Sequence, residues 1–411
     1  MLIEFALLIL PIVYDRIEHA RSMSYISKLD GAVFETVDDP KLGSSHRRIM
    51  TIPKTTLFIF GQDHDFRLIL ERLSFLKELR SLELGDTNIR DNDCDALASL
   101  SFIECLSLEK TSISDQGLAK LSKHKKLKIL NLDDTEFVTD HGLQLLSQIE
   151  SLQEISLSRT AISDEGLAKL SNFKTLRKLN LDSTSITDRG IAHLSQLDDL
   201  EELSLDGTPI SDIGLSKLRK LRKLRVLRLN NTLITDQGLA YLAYFEQLHV
   251  LSLDNTSISD DGIKHLKHLT NLESLFLGDT KVHGRGLSSL SRLDRLYHLD
   301  LRKSEKKTDG KTGIDIRAVT SFKSLGVLDL SGCGVNDDMV EIICTITSLE
   351  QLSLNNNPVS DLSIHKLAEL RCLTVLKLFS TNVTPKGKTA IQAVNSHIVV
   401  LGVFEDPGAD L

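Results

Sequence analysis

Tryptophan is absent from this chain, and aromatic residues fill only 5% of its 411 positions. A packed interior must therefore be aliphatic, and leucine supplies it. No Cys-x-x-Cys occurs, and the five cysteines, Cys94, Cys105, Cys333, Cys344 and Cys372, are odd in number. Neither a disulfide framework nor a zinc site is indicated. Free thiols packed in or near the core are expected, in a reducing compartment such as the cytoplasm. Basic residues do not predominate: 49 lysines and arginines face 57 aspartates and glutamates, for a formal charge of -8. That balance argues against general nucleic-acid binding, which needs a basic surface to displace counterions. Long apolar runs are missing too. The first thirteen residues, MLIEFALLILPIV, are apolar apart from Glu4, but a bilayer span takes roughly 20 residues. No basic segment precedes the run and no small-x-small cleavage pattern follows it. It reads as a packed helix, a degraded or truncated signal anchor, or a weak interfacial anchor. Membrane contact is expected only through residues 1–13.

Catalytic signatures are lacking as well. There is no G-x-S-x-G, no H-E-x-x-H and no EF-hand spacing, and the thirteen histidines are scattered. Asp63-His64-Asp65 carries metal-capable side chains, but neighbours along a strand point to opposite faces. Gly310-Lys311-Thr312 resembles the end of a phosphate-binding loop, yet Glu305 stands where that loop needs glycine. The expectation is no enzyme, no cofactor and no metal.

What the chain does have is a period. Thr87, Thr111, Thr135, Thr160, Thr184, Thr208, Thr232, Thr256 and Thr280 recur every 24 residues, with one step of 25. Self-similarity at 20 to 50 residues marks a stacked-repeat protein. Ahead of each Thr stand two leucine columns, represented by Leu203 and Leu205 or Leu251 and Leu253, with Ile155 the one substitution. Their apolar, polar, apolar spacing is that of a strand. A small hydroxyl at the Thr position can satisfy buried backbone groups in the turn and in the neighbouring coil, where an unpaired group would cost roughly 1–3 kcal/mol. After it come helix-start pairs such as Ser114-Asp115, Ser163-Asp164 and Thr187-Asp188, the hydroxyl as N-cap and the Asp complementing the helix dipole. A glycine column follows, including Gly117, Gly142, Gly166 and Gly190. Glycine weakens helices, so its recurrence implies a close approach between coils or a non-helical dihedral.

The phrase Leu-x-x-Leu-x-Leu-x-x-Thr-x-Ile/Val-Ser/Thr-Asp-x-Gly-Leu resembles a leucine-rich repeat. Its second half is similar to the subtype of F-box-associated repeat proteins, with Thr where that subtype favours Cys. Thr-bearing 24-residue versions resemble bacterial repeat proteins, especially those of planctomycetes. The resemblance runs from about residue 76 to 383. It implies an α/β solenoid, a leucine-rich repeat horseshoe of 12–13 coils with a concave parallel sheet and convex short helices. No F-box-like segment is evident in residues 1–56, so a ubiquitin-ligase role is not implied. In the bacterial proteins an N-terminal membrane segment often precedes a stretch like Ile26-Ser27-Lys28-Leu29-Asp30-Gly31-Ala32-Val33. The resemblance therefore favours the anchor reading of residues 1–13. It also supplies an alternative to a cytoplasmic scaffold, an envelope protein binding a polysaccharide or surface protein.

The organisation follows. Residues 1–56 form a non-repeat segment and 57–75 a degenerate first coil or cap, since solenoids must shield their ends. The solenoid spans 76–397, with an insertion at 302–315 where Leu328 falls 29 residues after Leu299. Beyond it Cys333, Asn357 and Thr381 hold the turn position, and Pro385 interrupts the last helix start. Residues 398–411 provide a closing strand and tail.

With no chemistry in view, the strand face is the candidate surface. The residues between and after the inward leucines point outward and form stripes, because adjacent coils lie about 4.8 Å apart. Asp182, Asp206, Asn230 and Asp254 are consecutive in one stripe, and Arg228 interrupts the other. Neighbouring like charges repel, so stability alone would not favour the acidic run. A polar, partly acidic groove binding a basic or hydroxyl-rich partner is expected. Phe276, Tyr297, His298 and Arg302 add aromatic and basic residues of the kind enriched at hot spots, with Phe276 expected to be exposed and unpartnered. The expected function is non-catalytic binding of another protein by a monomer.

Overall fold

The structure, a computed structural model, describes residues 32–35, 56–59, 66, 70, 73, 79–303 and 314–403. The chain divides into two units, Met1–Pro209 and Ile210–Leu411. Each is an α/β solenoid whose coils run strand, turn, short helix and return.

In the first unit Ala32–Glu35 pairs antiparallel with Thr56–Ile59, which pairs in parallel with Ser81–Glu83. Three-residue strands then follow in parallel register through Cys105–Ser107, Ile129–Asn131, Glu154–Ser156 and Lys178–Asn180 to Glu202–Ser204. The second unit repeats the arrangement from Val226–Arg228 to Val399–Leu401. Val399–Leu401 is the last strand among the described residues. The antiparallel strand at Ala32–Glu35 has no counterpart in the repeat pattern and is not legible from it. Asp63-His64-Asp65, Gly310-Lys311-Thr312 and residues 1–13 lie outside the described residues. Among the described residues no helix is long and apolar enough to cross a membrane.

Leucines build the core. Leu179, Leu181, Leu203 and Leu205 in the first unit, and Leu227, Leu229, Leu251 and Leu253 in the second, are fully buried. Each such side chain contributes about 1.5–3 kcal/mol on leaving water. The helices are minimal: α-turns such as Asp188–Ile191, or 3-10 turns such as Gly238–Tyr244 and Ile263–His268. Units this short are stable only through stacking.

Two ladders order the coils, one within each coil and one between coils, and both involve columns visible in the sequence. Each Thr hydroxyl donates to the Leu carbonyl three residues earlier in its own turn, at 2.5–2.9 Å. The neighbouring coil, expected to share that hydroxyl, receives nothing from it. The change comes where Thr is replaced. Cys333 Sγ donates to Leu301 O at 3.0 Å, and Asn357 Nδ2 to Leu330 O at 2.8 Å, both in the preceding coil. Ahead of the Thr, the chain takes a left-handed turn at residues such as Asp86, Asn231 and Asn255, with φ of 55–57°. Asn and Asp tolerate that region better than most residues.

The second ladder explains the glycines. Asp140 does more than complement its own helix dipole: Oδ1 accepts the Ser163 N–H at 2.8 Å and Oδ2 the Ser163 hydroxyl at 2.6 Å, one coil ahead. Asp164 treats Thr187 the same way, as do Asp212 with Thr235 and Asp236 with Ser259. The carboxylate then rests against the next coil's glycine. A Cβ on Gly166 would meet Asp140 Oδ1 at 2.3 Å, and one on Gly238 would meet Asp212 Oδ1 at 2.2 Å. The hydroxyls are N-caps too, as expected: Ser163 accepts from Glu165 N and Ser211 from Ile213 N. Pro385 does not interrupt its helix. It occupies the first turn of Pro385–Val394, capped by Thr384, where a missing N–H costs nothing.

Candidate functional site

The strand face has to be taken one unit at a time. In the first unit the polar residues expected to point into solvent are largely covered by their neighbours in the stack. Asp133 is fully buried. Its Oδ1 accepts the Ser156 hydroxyl at 2.5 Å and the Ser158 N–H at 2.9 Å. Asp182 Oδ1 accepts the Ser204 hydroxyl at 2.6 Å and the Asp206 N–H at 2.8 Å. Where the strand carries Asn, its oxygen serves its own coil and its amide the preceding one: Asn180 Oδ1 accepts the Asp182 N–H at 3.0 Å, and Nδ2 donates to Ser156 Oγ at 3.0 Å. A carboxylate beside another carboxylate is therefore doing what a peptide N–H requires. The acidic stripe has a structural role that local sequence does not reveal, because the partner lies 22–25 residues away. The pairing of Asp or Asn with Ser in the following coil is the signal that could have found it.

The second unit continues the device and then departs from it. Asn230 Oδ1 accepts the Ser252 hydroxyl at 2.8 Å and the Asp254 N–H at 2.7 Å. Asp254 Oδ1 accepts the Gly278 N–H at 2.7 Å. At Arg302 the column changes sign. Its guanidinium lies across Gly278, whose Cβ would stand 3.0 Å from Arg302 Cγ. It donates to Asp254 Oδ2 at 2.5 Å and also pairs with Asp300 Oδ2. Burial works against the charge on Arg302, and Asp300, Asp254 and Asp329 outweigh it. Burial also raises Asp254 despite that ion pair. Asp300 is 3% exposed, and burial, reinforced by Asp329 and Asp254, pushes its carboxyl up to about 7.

The aromatic residues are placed differently from the expectation. Phe276 is half-buried and packs edge-on against His298, with ring centroids 4.7 Å apart. Alternation along adjacent strands brings the two rings together diagonally. It is neither unpartnered nor fully exposed. Burial holds His298 below the usual imidazole range; Arg302 and Lys377 push it the same way and Asp329 opposes them. Tyr297 is 41% exposed. Its ring covers Gly326, and its hydroxyl donates to Glu350 Oε2 at 2.8 Å.

Arg228 contrasts with Arg302. It is half-buried, and its Nη1 has no hydrogen-bond partner among the described residues. Val226 stands beside it in the same strand, and Val250, Val327 and Val375 hold the equivalent position in later strands, each half-exposed. These valines are missing from the stripes expected from sequence because they sit one position before the inward leucines.

Repeats of Leu-x-Leu strands stacked in parallel, each closed by a short helix, define the fold. A family model for the leucine-rich repeat matches residues 148–171 and 174–195. The fold is that of a leucine-rich repeat solenoid. No curated protein matches the chain. Among solved structures, this leucine-rich repeat chain is similar to an internalin from Listeria monocytogenes, at 21% identity and a TM-score of 0.50, covering 82% of this chain and 83% of that one. It is also similar to a leucine-rich repeat protein of Leptospira interrogans, at 19% identity and a TM-score of 0.54, covering 80% and 86%. At such identities the likeness concerns the fold. Among the described residues of the repeat protein, no group of three or more His, Cys, Asp or Glu could hold a metal ion.

Proposed function

We propose that this leucine-rich repeat protein is a non-catalytic scaffold that binds another protein through its strand face. The observation that supports the reading most directly is the Phe276–His298 pair, half-exposed between the half-exposed valines Val250 and Val327. A run of apolar and aromatic surface on an otherwise polar face has the makings of an interaction patch. Arg302 and Tyr297 belong to that face but are already engaged, Arg302 with Asp254 and Asp300 and Tyr297 with Glu350. They frame the patch.

The test is affinity purification from the native organism with wild-type chain, Phe276→Ala and Val250→Glu. A partner captured by wild type and lost with both variants supports the reading, provided the variants keep the wild-type circular dichroism and melting point. Capture that survives both substitutions would sink it.

A further inference from the structure

We infer that the strand face of the second unit takes an extended, acidic protein segment carrying apolar side chains, with Arg228 and Lys377 as its two charge contacts. The inference rests on the proposed protein-binding role and names the partner's chemistry. It reverses the sign expected from the acidic stripe.

Which charges remain uncommitted decides that sign. Asp254 and Asp300 both face Arg302, and Asp254 also accepts the Gly278 N–H. Asp329 accepts the Ser331 N–H at 2.9 Å, as Asn355 accepts that of Phe379. The acids and amides of this face thus serve the fold. The cations do not. Among the described residues Arg228 makes no ion pair, and one of its guanidinium nitrogens is buried without an acceptor. Such a group costs free energy until an acceptor arrives. Lys377 likewise forms no ion pair among the described residues, and its charge is felt only as repulsion at His298. Both occupy the same column, the last position of Val226–Arg228 and of Val375–Lys377.

Between them run Val250, Phe276 with His298, and Val327. Arg228 and Lys377 are separated by six strand-to-strand steps, roughly 29 Å at about 4.8 Å each, which an extended chain covers in about nine residues. A segment with a carboxylate near each end and apolar residues between them matches this face in charge, length and polarity. A basic segment would meet Arg228, Arg302 and Lys377 instead.

Selection of a random twelve-residue peptide display library on the immobilised full chain tests this. Wild type should enrich Asp or Glu together with Leu, Val or Phe. The best selected peptide, synthesised, should bind Arg228→Glu/Lys377→Glu at least tenfold more weakly, and Arg228→Gln/Lys377→Gln, which removes charge with less risk to folding, should also weaken it. Selected peptides that are basic but lose binding with Val250→Glu would overturn this inference and leave the strand-face reading standing. Peptides indifferent to Val250→Glu and to both double variants would overturn both. Recovery of no binder would overturn the inference, since the matched segment would not suffice.

Discussion

The hydroxyl of Tyr297 donates to Glu350 at 2.8 Å across the bare Cα of Gly326, where a Cβ would stand 2.1 Å from the ring. The coil between donor and acceptor must carry glycine for the ring to lie flat. That donation, followed by a smaller contribution from burial, holds the Tyr297 phenol above its ordinary range. Gly326→Ala should lift the ring, break the bond and return the phenol toward about 10, the ordinary tyrosine value. Glu350→Gln should do the same without the steric change. Ultraviolet titration of each variant, referenced to Tyr297→Phe, isolates this one tyrosine. An unchanged titration in Gly326→Ala would mean the ring does not depend on the gap.

The inter-coil ladder gives a prediction of opposite sign to ordinary helix propensity. In a free helix Gly→Ala stabilises by about 1 kcal/mol. Gly166→Ala should instead destabilise by roughly 1–3 kcal/mol, because the new methyl meets the Asp140 carboxylate. Asp140→Ala should itself destabilise, since the Ser163 N–H and hydroxyl lose their acceptor. The double variant should cost less than the two singles combined, because removing the carboxylate makes room for the methyl. Urea melts of the four proteins complete the cycle, and strict additivity would refute the contact.

What the sequence made legible and what it did not divide along one physical line. The leucine, threonine and glycine columns were readable because each repeats in place, and a period needs no knowledge of partners. The glycines' cause was not readable, since the group filling the space beside Gly166 is Asp140, one coil back. The acidic stripe misled for the same reason: Asp182 beside Asp206 looks like repulsion until the Asp206 N–H is seen to need Asp182. Phe276 looked unpartnered because His298 meets it from the next strand. Pro385 looked like a break because the helix it starts departs from the repeat. Bonds that cross from coil to coil carry no local signature, and the candidate surface is defined by which side chains such bonds leave over.

Asp300 should make stability depend on pH in a direction unusual for a carboxylate. Its folded value of about 7 lies above the ordinary aspartate value near 3.9 that it takes when unfolded. The folded state therefore keeps a proton that the unfolded chain has lost. The stabilising contribution is fully present below about pH 4 and is lost as pH rises toward 7. Inside that window the loss is at most about 1.4 kcal/mol for each step of one in pH. Asp300→Asn should remove this dependence, so the gap between variant and wild type should widen in the variant's favour from pH 5 to pH 8. Urea unfolding at the two pH values measures it. A gap that is constant with pH would show that Asp300 titrates normally.

His124 supplies the opposite slope in the first unit. It is buried in the column that Leu100 and Phe173 fill with apolar side chains. Its Nε2 lies 2.9 Å from Leu100 O, while Nδ1 has no partner among the described residues. Burial lowers its proton affinity below the ordinary imidazole value, and the Leu100 carbonyl only partly opposes this. The unfolded chain thus takes up a proton near pH 6.5 that the folded chain resists. Stability should be full above that pH and fall as pH drops below it. His124→Phe, which places the side chain of Phe173 in the equivalent slot, should flatten the acid limb. It should also raise stability near neutrality, by removing a buried polar atom that lacks a partner. Melting temperatures from pH 8 to pH 5 decide the matter: if wild type and His124→Phe fall in parallel, the acid sensitivity of the first unit originates elsewhere.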